Sequence, residues 1–64
     1  MTCLETYMAA ADAADDARDL AIQQCNGNLL CEKAAIQTHY AAIVAAYEAY
    51  LDCVANQEGE PGGN

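Results

Sequence analysis

Four cysteines, one histidine and ten carboxylates are the side chains of this 64-residue chain best equipped for chemistry. Cysteines in fours can hold zinc, exchange electrons or close disulfides, and their spacing discriminates among these outcomes. Here they stand at 3, 25, 31 and 53, with 21, 5 and 21 residues between them and no Cys-x-x-Cys redox pair. His39 is the one imidazole, and there is no serine anywhere to act as a nucleophile beside it. Paired carboxylates do acid/base work in concave, partly dry sites. Glu5, Asp12, Asp16 and Asp19 instead recur along one face of a helical pattern, as solvated acids do. No glycine-rich phosphate loop is present. These residue types predict no enzyme, no cofactor and no single-chain metal centre.

The elements that position these groups are two helices. Thr2 and Glu5 form a Thr-x-x-Glu capping box, in which hydroxyl and carboxylate satisfy orphan amide donors at a helix start. From Cys3 to Cys25 there is no glycine or proline, and most residues are strong helix formers. Asn26-Gly27-Asn28 then interrupts the pattern: Gly27 suits a left-handed C-cap, and Asn28 suits the N-cap of a second helix. The sequence therefore predicts an all-α hairpin with helices over 3–25 and 29–56, a turn over 26–28, and a flexible acidic Gly/Pro tail over 57–64.

An antiparallel hairpin supplies an independent test of the cysteines, because facing positions share a constant sum. That sum is 56 for Cys3 with Cys53 and also for Cys25 with Cys31. Pairing within one helix would have to bridge about 33 Å. The crossed pairing joins opposite ends of the hairpin. Cys3–Cys53 and Cys25–Cys31 remain, one bridge at each end. The same separation prevents all four thiolates from gathering on one zinc ion; a metal shared between chains, or four free buried thiols, are the alternatives to bridging. Paired disulfides in a minimal domain point to an oxidising compartment, and hence to a secreted or periplasmic protein. The opening Met-Thr-Cys-Leu-Glu has neither a basic region nor an apolar stretch, so no signal peptide is expected within this chain.

Size and charge narrow the partners. A chain this short rarely builds a sufficient core without disulfides, a metal or a second chain. The formal net charge of -8, with Arg18 and Lys33 as the only bases, argues against phosphate backbones and anionic membranes. No apolar run approaches the roughly 18 residues of a membrane span. Of the 55% hydrophobic residues, fifteen positions are alanine, and phenylalanine and tryptophan are absent.

The register that aligns the cysteines pairs Tyr7 with Ala49, Ala10 with Ala46, Ala14 with Ala42, Ala17 with His39, and Ala21 with Ala35. This predicts a seam made almost wholly of alanine, with His39 packed at its edge opposite Ala17. The larger residues recur about 100° away. Leu4, Met8 and Ile22 on the first helix, with Leu29, Ile36, Tyr40, Ile43, Tyr47, Tyr50 and Val54 on the second, widened by Val44 and Leu51, form one broad apolar face. Asp15 and Arg18 interrupt this face and are candidates for an ion pair that orients a docked subunit. Such a face is unusual on a monomer and marks a contact surface. The expected function is non-enzymatic association: homo-oligomerisation into a four-helix bundle or filament, or docking on a protein partner.

In plan the chain resembles the plant helical-hairpin inhibitors and defence peptides, the α-hairpinins, which also join two antiparallel helices by two bridges. Their bridges come from paired Cys-x-x-x-Cys motifs, which this sequence lacks. The resemblance implies a second reading, a small secreted ligand, signal or inhibitor acting through the Cys25–Cys31 loop or the acidic face. An inhibitor would use Leu29 or Leu30 as its primary specificity residue.

Overall fold

The computed structural model describes residues 2–58 and forms a two-helix hairpin, α1 (Cys3–Cys25) and α2 (Leu29–Glu58). The start of α1 is the expected capping box: Thr2 Oγ1 accepts from the Glu5 amide at 3.0 Å, and Glu5 Oε1 accepts from the Thr2 amide at 2.8 Å. At its end Gly27 takes the expected positive φ (83°), and Asn26 before it also adopts the left-handed conformation (φ 54°, ψ 42°) as the cap residue. Asparagine is among the few residues with a side chain that tolerate this region. Two successive positive φ values reverse the chain within three residues. Asn28 then caps α2, its Oδ1 accepting from the Cys31 amide at 2.8 Å.

The second helix runs to Glu58, so Gln57 and Glu58, assigned by sequence to the tail, continue α2. Nothing in their composition stops a helix before Gly59. The rest of the expected tail, residues 59–64, lies outside the described residues.

Both disulfides join the expected partners. Cys3–Cys53 spans 5.8 Å between Cα atoms and Cys25–Cys31 spans 5.5 Å. The radius of gyration of 15.7 Å exceeds the roughly 10–11 Å of a globular domain this size, and the principal extents are 53 × 18 × 7 Å. The molecule is a slab one helix thick. Among the described residues its buried positions are Cys3, Ala14, Cys25 and Ala35, and no large side chain is fully enclosed.

The seam is turned relative to the all-alanine expectation. Of the expected seam, Ala14 and Ala35 are buried and Tyr7, Ala21, His39 and Ala46 half-buried, while Ala10, Ala17, Ala42 and Ala49 are exposed; Ala11, Asp15 and Ile22 on α1 and Ile43, Tyr50 and Val54 on α2 are half-buried beside it. At 3.6 residues per turn, both helices are rotated by about 40° toward the larger side chains. The reason is area: a half-buried isoleucine or tyrosine removes far more apolar surface from water than alanine, at roughly 25 cal/mol per Å².

Candidate protein-interaction face

The rotation divides the expected apolar face in two. Ile22, Ile43, Tyr50 and Val54 are partly used in the contact between the helices, while Leu4, Met8, Leu29, Ile36, Tyr40 and Tyr47 stay exposed, with Val44 and Leu51 beside them. Tyr40 is 70% exposed, the largest value among the aromatic rings of this face. The exposed set is carried mainly by α2, as a ridge along one side of the slab.

At the open end of the hairpin three rings bind ridge to seam. Tyr7 meets Tyr50 at 5.6 Å between centroids and Tyr47 at 6.1 Å, edge-on to the latter, and Tyr47 stacks on Tyr50 at 6.0 Å. These separations are those of rings in direct contact, contributing about 0.5–1.5 kcal/mol per pair beyond area burial. The cluster holds Tyr47 in place as a preformed part of the surface. Sequence register had set Tyr7 against Ala49; the rotation moves it onto Tyr47 and Tyr50.

The polar groups also find partners other than the expected ones. Asp15 and Arg18 do not pair with each other. Arg18 Nε and Nη2 both donate to Asp19 Oδ1, at 3.2 and 3.1 Å, in an exposed pair. Asp15 reaches across the seam, where its Oδ1 lies 2.6 Å from His39 Nε2. The physical cause is the same rotation: it carries Asp15 toward the seam, and His39 faces the carboxylate instead of Ala17. Positions 15 and 39 sum to 54, close enough to the cysteine register for this partner to have been found by scanning neighbouring sums. The pair lies between the two disulfides, where it is placed to hold the register. Leu29 and Leu30 project at the turn end, each 78% exposed, beside the Cys25–Cys31 bridge.

The opposite side of the slab is shallow and alanine-lined. A groove of about 310 Å³ runs between Ala14, Ala17 and Ala21 on α1 and Ala34, Ala35 and Ala42 on α2, and a notch of about 100 Å³ lies near Cys3 and Cys53. Small side chains leave these spaces, and no carboxylate lines either. Among the described residues, no three His, Cys, Asp or Glu side chains gather to hold a metal ion, and no helix is long and apolar enough to cross a membrane.

The chain matches no protein-family model, no curated protein and no solved structure with which it was compared.

Proposed function

We propose that this is a non-enzymatic, exported interaction module whose Ile/Tyr ridge is covered by another chain, either a further copy, as a dimer, four-helix bundle or filament, or a protein partner. The observation that carries this reading is the pairing, among the described residues, of a four-residue core of small side chains with exposed large ones: Met8 on α1 and Ile36, Tyr40, Tyr47 and Leu51 on α2. A patch of this kind is ordinarily desolvated by a partner. Its two disulfides are compatible with an extracellular or periplasmic setting. A net charge of -8 supports a protein partner over nucleic acid or anionic lipid.

Light scattering of the oxidised chain over a wide concentration range tests the self-association branch. Ile36→Asp with Tyr40→Asp should return any associated form to the mass of one chain while far-UV circular dichroism stays unchanged, since both positions are exposed. Ile43, half-buried between the helices, would confound association with folding. A chain that keeps one-chain mass at every concentration removes self-assembly and leaves the hetero-partner branch.

The near-complete exposure of Leu29 and Leu30 beside a bridged turn supports a second reading, a small secreted ligand or protease inhibitor acting through that loop. Activity of that kind should survive Ile36→Asp and Tyr40→Asp and be lost in Leu29→Ala with Leu30→Ala.

A further inference from the structure

Charge is distributed unequally over the two sides of the slab. On α1, Glu5, Asp12, Asp16 and Asp19 fall toward the helix side that carries Leu4 and Met8, with Asp15 nearer the seam on His39, and on α2, Glu48 and Asp52 lie at the outer edge beyond Val44 and Leu51. The two hollows between the helices, lined by alanines with Arg18, Thr38 and His39 in one and Thr6, Tyr7 and Tyr50 in the other, have no carboxylate. Of the two bases, Arg18 is already held by Asp19, which leaves Lys33 as the other cation against this margin. The ridge therefore runs beside a row of carboxylates. Resting on the association reading, we infer that the occupant of this side is a basic amphipathic helix of another protein, its apolar stripe on Ile36, Tyr40, Tyr47 and Leu51 and its Lys/Arg face over the α1 acids.

Charge selects this occupant over a second copy. A second copy brings the same excess of acids, each chain carrying -8, and like charges brought together across an interface disfavour association while opposite ones recruit a partner. The length agrees as well. From Leu29 to Leu51 the ridge extends about 33 Å, the reach of roughly 22 helical residues, and an amphipathic helix reads such a ridge through its i, i+3, i+4, i+7 anchors.

The test titrates the oxidised full chain, by calorimetry, with a model helix of about 20 residues bearing leucine on one face and lysine on the other. Two comparators are a scrambled peptide of the same composition and a Leu/Glu helix of the same pattern. The Leu/Lys helix should bind at least about tenfold more tightly than the scrambled peptide and weaken as salt is raised, and the Leu/Glu helix should not bind. Asp12→Asn with Asp16→Asn should weaken binding about fivefold. The charge-neutral pair Ile36→Gln and Tyr40→Gln should erase the preference over the scrambled peptide, with helicity unchanged. Equal binding of Leu/Lys and scrambled peptides overturns the inference, because charge alone would then suffice. No peptide binding, together with a multi-chain mass that Ile36→Asp and Tyr40→Asp reduce to one chain, overturns it in favour of a second copy and leaves the association reading intact. No peptide binding and one-chain mass throughout overturns both this inference and the self-association branch.

Discussion

Removing the two disulfides one at a time should expose how little the helix contact contributes alone. Cys3–Cys53 closes a sequence separation of 50, and Cys25–Cys31 closes one of 6. In the chain-entropy description, the first constrains the unfolded chain by about 4 kcal/mol and the second by about 2 kcal/mol. A domain of this size holds only about 3–10 kcal/mol in total, and the buried side chains among the described residues are two alanines and two cysteines. Cys3→Ala with Cys53→Ala should therefore remove most of the stability. Cys25→Ala with Cys31→Ala should remove less, because Asn26, Gly27 and the Asn28 cap still return the chain on itself. Urea unfolding followed by far-UV circular dichroism measures both. At an m-value of about 1 kcal/mol/M, the open-end variant should unfold at a midpoint about 2 M below the turn-end variant. Equal midpoints, or a larger loss at the turn, would refute the view that the bridges act chiefly by restricting the unfolded chain.

The turned seam makes a sharper demand on alanine. Ala14→Leu, at a buried position, should cost about 1–3 kcal/mol by forcing the helices apart, whereas Ala17→Leu, exposed, should stay within about 0.5 kcal/mol; the all-alanine seam requires both to be costly, and urea midpoints decide between them. For the mid-hairpin pair, a double-mutant cycle of Asp15→Asn and His39→Ala should yield a coupling of about 0.5–1.5 kcal/mol, while Arg18→Ala, whose partner Asp19 is exposed, should shift stability by less than about 0.5 kcal/mol. A coupling near zero would mean that the 2.6 Å contact does not hold the register.

Much of the architecture follows from local rules. Thr2 and Glu5 define one helix start, Asn28 the other, and the 26–28 turn forces the helices antiparallel. Once antiparallel, the cysteines have a single workable pairing, because a helix holds its own cysteines too far apart. The side of each helix that meets its neighbour was less legible. Alanines at regular intervals read as a close-packed seam, and Ala14 and Ala35 are buried with Ala21 and Ala46 half-buried, yet Ala10, Ala17, Ala42 and Ala49 are exposed. Periodicity locates a stripe to within a residue or so, and 100° per residue makes that a large angle. The partners of Asp15, Arg18 and Tyr7 all changed with it.

What the amino-acid sequence determined by itself was the hairpin, its caps, its register and its two bridges, since each depends on neighbours in the chain or on a fixed sum of positions. What only the tertiary structure decided was rotation. Two helices held at both ends by disulfides can still turn about their own axes, and the angle is set by competition among side chains for the little burial that two helices provide. Tyrosine and isoleucine take the edge of the contact there, beside the buried Ala14 and Ala35. That choice drew Asp15 to His39, locked Tyr7 against Tyr47 and Tyr50, and left Ile36 and Tyr40 facing outward.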